Sequence, residues 1–341
     1  MIYNIFKILL NITVRLYFRR RYVTNQQFIP VDKPVLFVAN HQSAFMDPIV
    51  LGVYSRRSMY FLARGESFKN KLGAWFFNKL HMIPIYRKEE TPDLVYKNSA
   101  VFSKCYDHFR DNGALLIFPE GRSKTEPRLR KIKTGAARIA LGAEAEFDFD
   151  LGLVIIPVGI NYSNPHMFRS DLHVNFGEPI NLSGFKNDYK IDFFSASKKL
   201  TQLIEKRIEE RVLVVEKEED EKLVSQVEEV YYGELLAKLG VSENEQERGF
   251  ELKKDLLKAI TYFQKEAPDF AMKMQDKLDR YFSLIKNFKG ADKNFHKRLK
   301  RNKKLPVWFY VISLLLGFPL FIFGVILHLP QYIFSGKLTV S

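Results

Sequence analysis

Two short apolar segments, each followed at once by polar residues, constrain the fold of this chain more than any other feature. Residues 34–39 (PVLFVA) and 114–118 (ALLIF) have the length and the apolar, partly β-branched composition of buried strands. The first runs into NHQSAFMDP and the second into PEGRS. Open α/β sheets bind their ligands beyond the carboxyl ends of the strands. The pattern therefore predicts an α/β fold with a functional site at one edge of its sheet.

The segment after the first predicted strand carries a histidine and a carboxylate that suit proton transfer. His41 falls on the turn that leaves the strand, and Asp47-Pro48 is typical of a helix N-cap followed by proline at the first helical position. The Asp47 carboxylate could fix the imidazole tautomer and stabilise its charged form while the other ring nitrogen takes a proton from an attacking hydroxyl. The alternative is an ordinary helix start beside an ordinary loop histidine.

The segment after the second predicted strand suits a phosphate monoester. Gly121 allows a close approach of the backbone, and Arg122 opens a run of positive charge. The further cations of this run are Lys124, Arg128, Arg130, Lys131 and Lys133. A solvated basic loop is the alternative, because most charge runs are solvated.

Two further strand-like runs complete the predicted sheet. Residues 82–87 (MIPIYR) end in Arg87, and residues 153–160 (LVIIPVGI) are interrupted by Pro157. Because proline cannot donate to a strand ladder, Pro157 predicts an edge strand or a bulge close to a binding surface.

These four segments, taken in order over residues 30–180, resemble the sequence blocks of the glycerolipid acyltransferase superfamily, the lysophosphatidate and glycerol-3-phosphate acyltransferases. The histidine and aspartate block is matched by His41 and Asp47, and the block that ends in arginine by Arg87. Residues 118–123 match the Pro-Glu-Gly block, and residues 156–158 match the proline block.

Two features depart from the usual family pattern. Five residues separate His41 from Asp47 where the family usually has four, and Arg122 follows Gly121 directly where the family usually reads Glu-Gly-Thr-Arg. The longer spacing is similar to that of a branch that includes fungal-type enzymes acylating glycerol 3-phosphate or dihydroxyacetone phosphate. The resemblance therefore favours the first acylation step over the second.

The resemblance implies a mixed sheet with flanking helices and a role for each matched residue. His41 would be the general base on the acceptor hydroxyl, and Asp47 would orient it. Substrate binding would fall to Arg87, Glu120, Gly121, Arg122, Ser123 and Pro157, with the arginines on the acceptor phosphate and Pro157 beside the acyl donor. Acyl-CoA or acyl-ACP would be the co-substrate, and no cofactor is implied.

Motifs of other chemistries are missing from the sequence. No serine lies in a Gly-x-Ser-x-Gly elbow, and the chain has no HExxH, GxGxxG or Walker motif, so neither a metal nor a nucleotide site is predicted. Cys105 is the single cysteine, which excludes disulfides within the chain, and its helical spacing with Val101 and Phe109 predicts a core position.

Charge and apolar segments together predict a membrane partner. The net charge of +14 calls for an anionic partner, and 30 phenylalanines with two apolar end segments favour lipid over nucleic acid. Residues 1–28 predict an amphipathic helix in the bilayer interface, with a narrow polar stripe and the basic residues 19–21 behind it. An ordinary buried core helix is the alternative.

The sequence after the catalytic domain, predicted over 29–194, divides into three parts. Residues 195–304 are rich in Glu, Lys and Leu and predict a charged helical region. Residues 305–330 include 21 uncharged residues (307–327), enough to span a bilayer or to re-enter it, and 331–341 form a tail. The basic residues 297–304 place the enzyme on the cytoplasmic face of a membrane.

The sequence is also compatible with two other functions. The same machinery could serve another lysolipid or an amino-lipid acceptor, or the chain could be a catalytically silent lipid-binding scaffold of the same fold. An imidazole far from its carboxylate would favour the silent scaffold.

Overall fold

The computed structural model describes residues 2–68, 70–86, 91–121, 123, 129–213, 220–242 and 245–287. The chain divides into two units, Met1–Lys273 and Met274–Ser341, and residues 274–287 of the second are helical. None of the helices in these ranges combines the length and the apolar composition needed to cross a bilayer. The predicted segment 305–330 and the tail 331–341 lie outside the described residues.

Within the described residues eight strands form one sheet, and this sheet is mixed, as the family resemblance implies. Its order is β1-β7-β6-β2-β5-β3-β4, and β8 pairs with β6. The central neighbours β2, β5 and β6 run parallel, whereas β7 and β8 pair antiparallel to β6. The strands are β1 Arg20–Thr24, β2 Val35–Ala39, β3 Met59–Arg64, β4 Met82–Ile85, β5 Ala114–Ile117, β6 Val154–Tyr162, β7 Asp171–Phe176 and β8 Ile180–Asn181.

Helices cover both faces of this sheet, so its central strands are apolar on both sides. In β2, Leu36 and Val38 face one core cluster, and Val35, Phe37 and Ala39 face the other. The described helices are α1 Ile2–Tyr17, α2 Met46–Tyr54, α3 Lys71–Lys79, α4 Asn98–Arg110, α5 Gly135–Glu146, α6 Lys186–Ile191, α7 Phe193–Glu209, α8 Asp220–Lys238, α9 Gln246–Glu266 and α10 Pro268–Asn287. The first cluster is covered by α4, α5 and α7, and the second by α1 and α2.

The described part of 195–304 is helical, but its first helix belongs to the sheet domain. Ala196, Leu200, Ile204 and Ile208 of α7 are buried in the same cluster as Leu36. The core of the α/β domain therefore continues past the boundary expected at residue 194. Apolar residues at a spacing of three and four recur within this otherwise charged stretch, which is why one face of α7 packs on the sheet.

The N-terminal segment 1–28 contains a helix and a strand instead of a single helix. After α1 ends at Tyr17, residues 20–24 form β1, which pairs parallel with β7 at one edge of the sheet. An edge strand tolerates arginine because one of its sides is not paired. The helix is anchored from its C-terminal end, since Val14 and Phe18 are fully buried in the core.

The expectation that Pro157 marks an edge strand is wrong. Its strand, β6, lies inside the sheet between β2 and β7. Pro157 sits where the antiparallel partner of β6 changes from β7 to β8, and its carbonyl accepts from the Gly177 amide at 2.7 Å. The missing N–H of proline therefore faces a break in the ladder and removes no strand pairing.

Candidate active site

The two sequence segments that follow β2 and β5 meet at one edge of the sheet. These strands are parallel neighbours, with Val38 in register with Ile117. His41 lies two residues beyond the end of β2, and Glu120 lies three residues beyond the end of β5. The His41 amide donates to Glu120 Oε1 at 2.7 Å, so the two segments are directly bonded.

His41 and Asp47 form a hydrogen-bonded pair. The distance between His41 Nδ1 and Asp47 Oδ2 is 2.8 Å. The Asp47 side chain is 0% exposed, whereas the imidazole is 16% exposed. A carboxylate only accepts hydrogen bonds, so Nδ1 carries the proton and Nε2 is the nitrogen that can take one. The pair has the arrangement that a general base requires.

The Asp47 carboxylate is held by two further donors. The Ser43 amide donates to Oδ2 at 2.8 Å, and the Tyr162 hydroxyl donates to Oδ1 at 2.6 Å. Burial, and next the negative charge of Asp47, raise the pKa of Tyr162 well above its usual value, so its hydroxyl remains a donor. Three donors thus satisfy a carboxylate that is removed from water.

Asp47 does not cap its helix, so the predicted N-cap is wrong. The helix α2 begins at Met46, with Phe45 at the N-cap position, and Asp47 is its second residue. An N-cap side chain would bond to amides that follow it, but the Asp47 carboxylate turns back to Ser43 and His41.

The five residues between His41 and Asp47 form a closed loop that brings the pair together. Ser43 and Asp47 bond twice: the Ser43 amide donates to the carboxylate, and the Asp47 amide donates to the Ser43 carbonyl at 3.2 Å. Ala44, with φ of 21°, donates its amide to Ser123 Oγ at 2.7 Å. The longer spacing is therefore compatible with a bonded pair.

An aromatic ring and a buried carboxylate fix the position of His41. The Phe118 ring stacks on the imidazole, with centroids 4.1 Å apart and planes 14° from parallel. Glu120 accepts from the His41 amide and, through Oε2, from Arg130 Nε at 3.0 Å. Burial raises the pKa of Glu120, and the His41 amide and Arg130 partly offset this rise.

The other predicted site residues differ in where they lie. Gly121 has φ of 77°, a conformation that favours glycine, and the Lys133 side chain lies beside it. Arg87 and Arg122 lie outside the described residues. Pro157 is buried in the sheet opposite Val38, so the structure does not bring it to the edge where His41 lies.

Sequence reasoning missed three contributors to the site. Tyr162 is 115 residues from Asp47 along the chain. Phe118 belongs to a predicted strand and motif but has no predicted role in the site, and neither has Asn40. The Asn40 side chain bonds the Ile160 amide at 2.7 Å and its carbonyl at 2.9 Å. An alternating pattern continued from Ile160 would have placed Tyr162 on the same face of the sheet.

Two structural observations concern cysteine and metal chemistry. Cys105 is buried in the core, as predicted, and burial raises the pKa of its thiol to about 12. Within the described ranges, no three His, Cys, Asp or Glu side chains cluster to hold a metal ion.

The chain is similar to known acyltransferases over this region. Residues 20–161 match the model of the Acyltransferase family. Glycerol-3-phosphate O-acyltransferase 1 of Saccharomyces cerevisiae is 39% identical over 84 residues, which cover 25% of this chain and 11% of the yeast protein. The 1-acyl-sn-glycerol-3-phosphate acyltransferase of Streptococcus pneumoniae is 26% identical over 169 residues, 47% of this chain and 56% of that protein.

A solved structure also aligns with the chain. The 1-acyl-sn-glycerophosphate (LPA) acyltransferase PlsC from Thermotoga maritima has a TM-score of 0.43 and 17% sequence identity, over 60% of this chain and 78% of that one. Of the two relatives described above, the match to the yeast protein spans about a tenth of that protein's length, and the match to the streptococcal protein about half.

Proposed function

We propose that residues 20–161, which match the Acyltransferase family model, form a domain of the glycerolipid acyltransferase superfamily. The protein would transfer a fatty acyl group from a thioester to the hydroxyl of glycerol 3-phosphate or 1-acylglycerol 3-phosphate. The observation that carries this proposal is the 2.8 Å pair of His41 and the buried Asp47 at the carboxyl edge of the sheet. A silent scaffold has no use for a buried carboxylate held by three donors against a histidine.

In the proposed reaction His41 acts as the general base. Its Nε2 takes the proton of the acceptor hydroxyl as the hydroxyl oxygen attacks the thioester carbonyl carbon. Asp47 stabilises the imidazolium that forms, through the hydrogen bond from Nδ1. The tetrahedral intermediate collapses with cleavage of the C–S bond, and the imidazolium returns its proton to the departing thiolate. No covalent enzyme intermediate is required.

The acceptor phosphate would bind among the cations around Gly121. Arg87 and Arg122 are proposed to contact it, since arginine binds phosphate through two parallel hydrogen bonds. Gly121 would allow the backbone to approach. Glu120 contributes indirectly: both of its oxygens already bond protein donors, so it positions His41 and Arg130. Acyl-CoA or acyl-ACP is the proposed donor.

Glycerol 3-phosphate is the proposed first choice of acceptor. Two yeast relatives, each 39% identical over the aligned residues, are named glycerol-3-phosphate O-acyltransferases. The five-residue spacing between His41 and Asp47 points to the same branch.

An acceptor assay tests this proposal. Detergent-solubilised full-length protein receives labelled acyl-CoA or acyl-ACP with either glycerol 3-phosphate or 1-acylglycerol 3-phosphate. Product with glycerol 3-phosphate that disappears in His41→Ala supports first-step acylation, and product with lysophosphatidate alone moves the assignment to the second step. Folded protein without product from either acceptor contradicts both and favours another lysolipid, an amino-lipid or the scaffold.

We also propose that the enzyme acts at the cytoplasmic face of a membrane. One side of α1 has no partner among the described residues: Ile5, Ile8, Leu9, Ile12 and Leu16 are 50–63% exposed. Lys7 on another side of this helix donates to the Arg57 carbonyl at 3.0 Å. Phe6 of α1 lies beside Phe76 of α3, with ring centroids 5.7 Å apart, and the neighbouring Trp75 of α3 is also exposed. Trp and aliphatic residues suit the lipid interface.

Fluorescent labelling tests the contact of α1 with lipid. The single native cysteine is buried, so a cysteine introduced by Leu9→Cys can be labelled selectively with an environment-sensitive dye. Vesicles of phosphatidylcholine and phosphatidylglycerol should shift its emission to the blue, and spin-labelled lipid should quench it. The matched control is Ile191→Cys, at a residue that is 84% exposed and distant in sequence from α1. Equal, water-like emission at both sites would contradict lipid contact by α1.

The predicted segment 305–330 is proposed as a second membrane contact. Its 21 uncharged residues suit a spanning or re-entrant helix, and the basic residues before it place its start on the cytoplasmic side.

A further inference from the structure

Tyr162 contacts the proposed catalytic pair although it lies far from it in sequence. It is the last residue of β6, and its hydroxyl is 2.6 Å from Asp47 Oδ1. The His41 imidazole and the Ser43 amide use the other carboxylate oxygen. Tyr162 therefore provides the hydrogen bond that fixes the rotation of the carboxylate about its own axis.

The position of Tyr162 is set by strand pairing and by an aromatic contact. Asn161 and Tyr162 extend β6 against β7, where Tyr162 is in register with Leu172. The fully buried Phe18 stacks on the tyrosine ring, with centroids 5.7 Å apart. Both contacts hold the ring independently of its hydroxyl, so the hydroxyl can be removed with little effect on packing.

A second bond ties the end of β6 to the segment that carries His41. The Asn40 side chain bonds both backbone groups of Ile160, two residues before Tyr162. His41 and Tyr162 thus lie at the ends of two neighbouring strands, β2 and β6, that Asn40 holds together. This rigidity matters because a misplacement of about 1 Å can lower a rate by about 10²-fold.

We propose that Tyr162 is a positioning residue for acyl transfer, which acts by holding the Asp47 carboxylate against His41. The predicted loss of rate rests on the proposed function, whereas the predicted change in the protonation of His41 does not. Without the tyrosine donor, the carboxylate keeps more negative charge for the imidazolium and is less firmly oriented. His41 then holds its proton to higher pH and is a less well-placed base.

The Tyr162→Phe variant tests the proposal, with Tyr232→Phe as the matched control. The Tyr232 hydroxyl donates to the Gly249 carbonyl at 2.8 Å in the helical region, so the control also loses one partly buried hydroxyl bond. In Tyr162→Phe, kcat should fall about 10-fold, with KM for both substrates within about 2-fold. The acid limb of kcat should move to higher pH. The control should show neither change.

A readout that needs no turnover separates this proposal from the proposed function. Diethyl pyrocarbonate modifies neutral imidazole, and peptide mass spectrometry across a pH series reports the protonation of His41 itself. The midpoint should lie at higher pH in Tyr162→Phe than in the wild type. If the midpoint shifts in Tyr162→Phe while the wild-type protein transfers no acyl group, the role of Tyr162 is supported and the acyltransferase activity is contradicted. An unmoved midpoint, with an unmoved acid limb, would overturn the role of Tyr162.

Discussion

Histidines lie against aromatic rings at both ends of the parallel strands, but in the described part of the chain a carboxylate bonds the imidazole at only one of these ends, where Asp47 meets His41. His41 follows the carboxyl end of β2 and stacks on Phe118 at 4.1 Å. At the opposite edge, where β4 and β5 begin, His81 stacks on Tyr60 at 4.5 Å, and His108 lies 4.0 Å from the same ring. Stacking therefore positions an imidazole without making it a base.

The polar partners of these histidines differ in charge. His41 Nδ1 bonds the Asp47 carboxylate, whereas His108 Nε2 donates to the Ala114 carbonyl at 3.1 Å and His81 Nδ1 is 3.3 Å from Ser58 Oγ. Burial lowers the pKa of both His81 and His108, and the bond to Ala114 and the charge of Asp111 only partly oppose this at His108. The carboxylate, with the donors that hold it, is what distinguishes a candidate base from a structural histidine.

Alanine at each edge should give the largest difference. His41→Ala should lower kcat by about 10²- to 10⁴-fold, the usual contribution of a positioned base. His108→Ala, which loses an imidazole that lies 4.0 Å from the Tyr60 ring at the other end of the strands, should keep kcat within about 2-fold. Both rates are measured by acyl transfer in detergent, with circular dichroism to confirm folding. Equal losses at the two edges would remove the distinction between them.

Glu120 should give an intermediate effect because it holds the backbone of His41. Glu120→Ala leaves the His41 amide without its acceptor, which should cost about 1–3 kcal/mol of stability and displace the imidazole. We expect kcat to fall about 10- to 100-fold. Glu120→Gln keeps an acceptor for that amide and should lose less. If the alanine and glutamine variants were equally active, the bond from the His41 amide would have no part in catalysis.

The smallest predicted effect is the contribution of His108 to the loss of stability at low pH. The folded-state pKa of His108 is lowered, so the unfolded state binds its proton more readily. The neutral His108 side chain therefore contributes fully to the free energy of unfolding above a pH of about 6.5, the ordinary pKa of histidine. This contribution is lost as the pH falls. His108→Gln, which can still donate to Ala114, should therefore lose less stability than the wild type between pH 7 and pH 5. Urea unfolding measures this, with the exposed His166→Gln as control, and parallel pH curves would contradict it.

The sequence predicted four of the eight described strands, β2, β4, β5 and β6, because each of these is a short apolar run with its own boundaries. It did not predict β1, β3, β7 or β8, and β1 and β7 carry charged residues. Residues 34–39 and 114–118 contain β2 and β5, and the segments after them meet at one end of the sheet as expected, through a His41–Glu120 bond that was not predicted. The α/β core extends beyond its expected end because α7 carries an apolar face within a charged stretch. The many charged residues around it make this apolar face difficult to recognise from the sequence.

Pairings over a long sequence distance were beyond local reasoning. No pattern near Tyr162 indicates that strand register would bring its hydroxyl to Asp47. The prediction of an edge strand at Pro157 was wrong for a related reason. Proline usually indicates an edge strand, and only the strand topology shows that the ladder is broken opposite this residue. The reversed direction of the Asp47 side chain likewise depends on the loop that closes on Ser43.

The most direct test of the account is a double-mutant cycle on His41 and Asp47, measured by acyl transfer to glycerol 3-phosphate. If the two side chains act as one base, Asp47→Asn should lower kcat strongly in the wild type but by no more than about 2-fold when His41 is already alanine. Losses that multiply in the double variant would show that Asp47 acts independently of His41, and would contradict the account.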